Sequence, residues 1–347
     1  MAFSRQDIEC MALALKLSKK GRASVGANPM VGCVITRDGK IIAKDYHRQY
    51  GKGHAEVNAL DQIKHRGKSA KLYVTLEPCS HQGKTSPCTN ALIKAGVKKV
   101  VVAMLDPNPV VSGRGVKLLK DAGIEVDIGL LQSEAMELNR GFVKRMETGM
   151  PFVTTKIAMS LDGGTAMGSG ESQWITSDAA RLDVHKLRSN NQAIMTGSGT
   201  IINDNPKMTA RLNDSEPSPL RVIVDSGNKI NDQKLKIFSS DASTLVLNDG
   251  NSKILPNGKI DLKLALIKLG EMGINNLLLE TGSGLNGAML EAGLIDEFII
   301  YTAPVILGSD TKPMIEIPLT KISEKIQLNI LDIRKIGEDI KIKAVLK

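Results

Sequence analysis

Leu76-Glu77-Pro78-Cys79-Ser80-His81-Gln82-Gly83-Lys84-Thr85-Ser86-Pro87-Cys88 places two of the chain's four cysteines on either side of a polar loop. Upstream stands His54-Ala55-Glu56. One imidazole and two thiolates can hold a zinc ion and leave its fourth position open to water. His54, Cys79 and Cys88 are therefore the candidate metal ligands, and Glu56 is the candidate group that moves the water's protons. On a regular helix His54 and Glu56 stand about 200° apart. They share a site only if it lies off the helix N-terminus, where first-turn side chains fan around the axis. Gly53 fits such an entry. Cys79 and Cys88 bracket a loop that runs into a helix, whose N-terminus favours the thiolate form.

The order H-x-E…P-C…C is that of zinc deaminases, which hydrolyse the amidine carbon of a nitrogen heterocycle. The wide interval from Cys79 to Cys88 departs from ordinary cytidine and adenosine deaminases, whose cysteines sit closer together. Cys10 and Cys33 lie on apolar segments and read as packing residues.

Working outward, 347 residues favour about two domains. The apolar and charged fractions are those of a globular protein, and no uninterrupted apolar run of about 18 residues occurs. Met1 to Lys20 is amphipathic, with Asp7 and Glu9, and lacks the pattern of a signal peptide. A cytoplasmic location with reduced thiols is the expectation. The formal charge of +9 and pI near 9.2 point to anionic partners. Lysines are spread thinly and aromatics make up only 3%, so stacking platforms for single-stranded nucleic acid are poorly supplied.

Ser4 to Asp7 caps a helix running to about Lys20. Strands over Met30–Thr36 and Lys40–Lys44 meet at Asp38-Gly39, a hairpin signal. Helix His54–Lys64, strand Lys71–Leu76, helix Cys88–Ala95, strand Lys98–Leu105, helix Gly115–Ala122 and strand Ile124–Ile128 follow, then one long helix over Ser133–Glu147. Gly149-Met150-Pro151 is the linker candidate, dividing the chain into 1–149 and 150–347. Alternation resumes beyond it: strands begin at Phe152, Gln192, Leu220, Ser243, Asn276 and Asp296, with helices over Asp178–Arg188, Asp261–Met272 and Leu285–Ala292. The tail is β-rich with a turn at Gly337. Both halves read as α/β.

Several segments resemble the bifunctional riboflavin-biosynthesis deaminase–reductase family. They are the loop from Leu76 to Cys88, Gly26-Ala27-Asn28-Pro29-Met30-Val31-Gly32, Asp106-Pro107-Asn108-Pro109 and Ser112-Gly113-Arg114-Gly115. Ser86 stands where that family often has proline. The resemblance implies a cytidine-deaminase-like three-layer α/β/α domain with substrate contacts from Asn28, His47, His81 and Lys84. Lys84 suits a substrate phosphate, and the others suit the pyrimidine edge and the sugar.

Beyond the linker, Lys156-Ile157-Ala158-Met159-Ser160-Leu161-Asp162-Gly163 resembles the opening of the family's reductase domain, which has a dihydrofolate-reductase-like α/β fold. Gly164 replaces a commonly basic residue. Ser169 to Thr176, His185 to Arg188, Gly199 to Pro206 and Thr209-Ala210-Arg211 continue the likeness. The family implies substrate contacts from Lys156, Ser172, Arg188, Met208, Arg211 and Glu280. It implies contacts to NADPH from Ala158, Trp174, Thr200, Asp204 and Ser226. Arg188 and Arg211 suit a ribose phosphate through bidentate bonds. Trp174, the only tryptophan, would on residue type alone more often be buried.

Gly282-Ser283-Gly284-Leu285-Asn286-Gly287, with Ala288, spells G-x-G-x-x-G at a helix start and reads as a phosphate loop. Strand Glu297–Thr302 ends without the acid that grips a ribose 2′-hydroxyl, which favours NADPH. The expected reaction is zinc-dependent deamination of a phosphorylated aminopyrimidinone, then NADPH-dependent reduction of its ribosyl group. Expected partners are that small molecule and further copies of the chain, with no nucleic acid and no membrane. Two rival readings stay open at this stage. One is a nucleic-acid deaminase with an RNA-binding second half. The other is a noncatalytic protein with a four-ligand structural zinc.

Overall fold

Alternating burial along the strands sorts this chain into two layered units. The computed structural model describes residues 3–81, 86–109, 111–212 and 218–347. It divides into compact units Met1–Gly149 and Met150–Lys347.

In the first unit, helix α1 (Arg5–Ser18) opens with a reciprocal box: the Ser4 hydroxyl accepts from Asp7 N–H and the Asp7 carboxylate accepts from Ser4 N–H. Strands β1 (Gly32–Arg37) and β2 (Lys40–Tyr46) form the hairpin. Its turn residues Asp38 and Gly39 sit at φ 49° and 75°, the left-handed pair that matches strand twist. Then come α2 (Ala55–Gln62), β3 (Lys71–Val74), α3 (Cys88–Ala95), β4 (Lys99–Val102), α4 (Arg114–Asp121), β5 (Glu125–Ile128), α5 (Gln132–Leu138) and α6 (Arg140–Thr148). The sheet runs β2-β1-β3-β4-β5, antiparallel around β1 and parallel from β3 to β5. Cys33, Ile35, Leu72, Val74, Val100 and Val102 pack with Ala59, Leu60, Leu92 and Leu119 on one face. Val34, Tyr73 and Val101 pack with Met11, Ala14, Ala135 and Val143 on the other. Period-two alternation thus builds three layers, α/β/α.

The single long helix expected over Ser133–Glu147 is two helices, broken at Asn139 (φ −111°, ψ 21°). Asn139 is buried, and its amide pairs with the Met30 backbone: Met30 N–H donates to Oδ1 at 2.8 Å and Nδ2 donates to the Met30 carbonyl at 3.0 Å. The break lets one side chain satisfy both backbone groups beside Asn28-Pro29.

The second unit comprises β6 (Phe152–Ser160), β7 (Gly164–Met167), α7 (Asp178–Ser189), β8 (Ala193–Gly197), α8 (Ser198–Asp204), β9 (Leu220–Val224), β10 (Thr244–Leu247), α9 (Leu262–Glu271), β11 (Asn276–Leu279), α10 (Ser283–Glu291), β12 (Glu297–Ala303), β13 (Thr311–Pro313), β14 (Leu328–Ile336) and β15 (Asp339–Leu346). The large sheet runs β10-β9-β8-β11-β6-β12-β15-β14, parallel up to β12 and antiparallel beyond. Met195, Val222, Leu277 and Leu279 face one core, and Ile194, Ile223 and Leu278 the other. Strands buried on both faces explain the near-continuous apolar runs. The short ribbon of β7 and β13 and the helix α8 were not expected; they are too short for periodicity to register. Gly164 starts β7, and a Cβ there would stand 3.0 Å from the Thr311 side chain, so any larger residue would press on Thr311.

Candidate active sites

The helix α2 entry resolves the two-residue interval between His54 and Glu56. His54 is the N-cap, with extended backbone, and Glu56 lies in the first turn with 3% of its surface exposed. Cys88 is the first residue of α3, and its N–H donates to Cys79 Sγ at 3.3 Å. His54 Nδ1 lies 3.2 Å from Cys88 Sγ and 3.5 Å from Cys79 Sγ, and the three ligand atoms fall within 4.8 Å of one another. Zinc bonds of about 2.0–2.3 Å in tetrahedral array require donor separations of this size. The donor set therefore fits zinc with one position left for water or substrate.

The electrostatics of this cluster agree with a cation site. The Cys79 thiol is held down to about 4, by the hydrogen bond from Cys88 against the opposing effect of burial, with help from His54. Cys88 is pushed up by that same bond to Cys79 and by burial. A bound metal would take both sulfurs as thiolates. Burial, and next the Cys79 charge, push Glu56 up to about 7, the range of a group that both takes and gives protons near neutrality.

A cavity of about 340 Å³ opens beside the cluster. His47 and Asn28 line it as a linked pair: Asn28 Nδ2 lies 3.1 Å from His47 Nε2, while His47 Nδ1 faces the Gly53 carbonyl at 3.2 Å. That arrangement puts the proton on Nδ1 and leaves the Asn28 carbonyl oxygen to meet a donor. Burial lowers the His47 pKa, which keeps the ring neutral. His81 lines the mouth and is exposed. Lys84 lies outside the described residues.

Glu77 was not singled out from sequence. It is buried, and its carboxylate accepts from the backbone N–H groups of Asp106 (3.1 Å), Gly113 (2.9 Å) and Val116 (3.1 Å). It thereby ties the Cys79 segment to the loop carrying Asp106 and Asn108, both of which line the cavity. A Cβ on Gly115 would stand 2.1 Å from the Pro78 carbonyl, so that close approach requires glycine. The local signal was the acid before Pro78-Cys79; its three partners are far away in sequence.

In the second unit a cleft of about 1120 Å³ lies at the C-terminal ends of the parallel strands, where α/β sheets bind ligands. Ala158 comes from β6, Thr200 and Asp204 from α8 after β8, Ser226 follows β9, and Glu280 follows β11. All of these line it, as do Ser172, Arg211 and the partly core-packed Met208. The Ser172 hydroxyl donates to Asp204 at 2.9 Å.

Arg188 lines the cleft as expected, and its guanidinium is also engaged within the chain. Its bidentate bonds go to Glu280, at 2.7 and 2.9 Å, and Lys156 lies 3.3 Å from the same carboxylate. Burial pushes the Glu280 carboxyl up, but Arg188 and Lys156 outweigh it and hold the group at about 2. Arg211 is exposed on the cleft and has no ion-pair partner among the described residues, so its guanidinium is open to an anion. Trp174 is 69% exposed, contrary to the burial expected from its type; it lines the cleft with Arg181 stacked at 4.7 Å.

The glycine motif divides by position. Gly282 is the N-cap of α10 and would meet nothing if given a Cβ, so the helix entry is open to a ligand. Ser283, Gly284, Leu285 and Ala288 line the cleft with it. Asn286 also lines it, yet its amide bonds Thr155 at 2.8 Å and the Thr281 carbonyl at 3.3 Å. Gly287 is not on the cleft: a Cβ there would stand 1.9 Å from the Glu316 carbonyl, so this glycine serves packing. The open helix N-terminus at the strand ends fits a dinucleotide pyrophosphate.

Fold and sites define the class: a zinc deaminase unit of the cytidine-deaminase type joined to an α/β reductase unit. Residues 4–104 match the cytidine and deoxycytidylate deaminase zinc-binding region, and residues 151–342 match the RibD C-terminal domain. The riboflavin biosynthesis protein RibD of Escherichia coli (strain K12) is 43% identical over 359 aligned positions, covering 96% of this chain and 98% of that protein. The solved structure of Acinetobacter baumannii RibD, form 1, superposes with a TM-score of 0.91 at 40% identity, covering 99% of each chain. A Thermotoga maritima structure described as a diaminohydroxyphosphoribosylaminopyrimidine deaminase/5-amino-6-(5-phosphoribosylamino)uracil reductase gives 0.89 at 32% identity, also covering 99% of each. The chain belongs to the RibD family of riboflavin biosynthesis proteins.

Proposed function

We propose that this chain catalyses two consecutive steps of riboflavin biosynthesis on one phosphorylated pyrimidine. The first unit removes the 2-amino group of 2,5-diamino-6-(5-phosphoribosylamino)pyrimidin-4-one. The second reduces the ribosyl side chain of the product to ribityl. The observation that carries the reading is the open three-donor cluster of His54, Cys79 and Cys88 with buried Glu56 beside it, in a chain that also bears the reductase cleft.

Zinc, when bound, lowers the pKa of its water to about 7. Glu56 would take the first water proton and pass it to the pyrimidine ring nitrogen, then take the proton of the added hydroxyl and pass it to the departing amine, so that water and substrate yield the keto product and ammonia. His47 and Asn28 hold the pyrimidine edge.

In the second cleft NADPH supplies the hydride. The chain's residues align the sugar: the C1′–O4′ bond breaks, C1′ gains hydrogen, and O4′ takes a proton from the Lys156 or Asp204 side of the cleft. The Lys156–Glu280–Arg188 cluster fixes that wall, and Arg211 takes the phosphate.

We further read the chain as a cytoplasmic homo-oligomer. Supporting the location, all four cysteines are free thiols and no helix among the described residues is long and apolar enough to cross a membrane. Supporting association, edge strand β14 exposes Ile330, Leu331 and Ile333 by more than half their surface.

Chelation tests the two-site scheme. Stripping zinc should abolish ammonia release while NADPH oxidation with the deaminated intermediate continues, and zinc should restore the first. Parallel loss of both activities in a folded chain would contradict it.

A further inference from the structure

We propose that Lys229 and Lys259, with the Ser226 corner between them, form the subsite for the 2′-phosphate of the dinucleotide and thereby select NADPH over NADH. The inference rests on the reading of the second unit as a nicotinamide-dependent reductase.

The sheet order fixes where each part of the cofactor falls. Ala158 lies on β6, the open helix entry at Gly282 follows β11, Thr200 follows β8, and Ser226 follows β9, in that spatial order along the strand ends. From β6 to β9 is three strand steps, about 14 Å. With the nicotinamide at β6 and the pyrophosphate over α10, the adenosine half lies at the turn after β9.

Folds that hold an unphosphorylated ribose place an acid at such a strand end, where it accepts from the 2′-hydroxyl and repels a phosphate. Asp225 occupies that sequence position. It is 1% exposed, its Oδ2 accepts from Ile230 N–H at 2.8 Å, and it does not line the cleft. The carboxylate is turned into the fold, where it braces the 225–230 turn.

Lysines take the cleft side instead. Lys229 and Lys259 are exposed, both line the cleft, and neither has an ion-pair partner among the described residues. Ile260 N–H donates to the Ser226 hydroxyl oxygen at 3.1 Å, which clamps residues 258–260 against the 226–229 turn. The Ser226 proton remains to donate into the cleft. The acids that line the cleft are Asp204, bonded to Ser172, and Glu280, paired with Arg188 and Lys156. No carboxylate among the described residues lines the cleft at the β9 end, while Lys229, Lys259 and Ser226 all line it there.

The test uses the full zinc-loaded chain and calorimetric titration with 2′,5′-ADP and 5′-ADP. The wild type should bind 2′,5′-ADP at least about tenfold more tightly than 5′-ADP, with a preference that shrinks as salt rises. Lys229→Ala and Lys259→Ala should each cut the preference severalfold. The double variant should abolish it while leaving 5′-ADP affinity unchanged, and kcat/KM for NADPH should fall toward that for NADH. Lys263→Ala, an exposed charge away from the cleft, should keep the preference. A double variant that retains it overturns the subsite. A wild type that binds neither probe and oxidises no NADPH overturns the cofactor reading as well.

Discussion

Glu280 shows what one buried acid can do for both stability and substrate placement. Its two oxygens meet Arg188, one of them also meets Lys156, and its pKa stands at about 2 against an ordinary 4.5. A depressed carboxyl contributes stability that is fully present above about 4.5 and is lost as pH falls toward 2. Glu280→Gln leaves two half-buried cations uncompensated and should cost up to about 3 kcal/mol at pH 7. Denaturant titrations should show the gap to wild type closing below pH 4.5; a gap that is independent of pH would contradict this account. The partners are far apart in sequence, so nothing local to Arg188 signals that Glu280 engages its guanidinium. The metal cluster was legible earlier because its chemistry is local: His54 and Glu56 share one helix entry, and Cys79 and Cys88 bracket one loop. The exposure of Trp174 on the cleft was legible only through the family resemblance, since residue type carries burial statistics and nothing about a cleft.

At the scale of elements, most strands and helices followed from period-two and helical spacing, with ends shifted by one to three residues. Two departures have physical causes. Asn139 breaks a continuous helical pattern because its amide completes the hydrogen bonding of Met30. Gly287 fits a phosphate-loop spacing yet is required by the backbone of Glu316. Neither contact has a local sequence signal. Strand β14 raises a further expectation. It ends the large sheet, and its outward apolar residues favour pairing with the same edge of a second copy. Sedimentation should give an oligomer for the wild type, and the Ile330→Lys, Ile333→Lys double variant should shift it to monomer with zinc content intact. A wild type that stays monomeric at all concentrations would contradict the oligomer reading.

Across the whole molecule, two sites with unrelated chemistry are carried on separate cores, and each has its own cavity and charge pattern. The formal charge of +9 fits such a protein, because both proposed steps act on a phosphorylated pyrimidine and one also takes a dinucleotide. On the proposed function Glu56 serves only the first step, and the second stands apart from it. The most direct measurement is a paired assay of Glu56→Gln, scoring ammonia release from the diaminopyrimidine substrate and NADPH oxidation with the deaminated intermediate. Ammonia release should fall by a factor of about 10²–10⁴ or more, with zinc content and NADPH oxidation at wild-type levels. Ammonia release near wild type, or an equal fall in both activities in a folded, zinc-loaded variant, would contradict the claim.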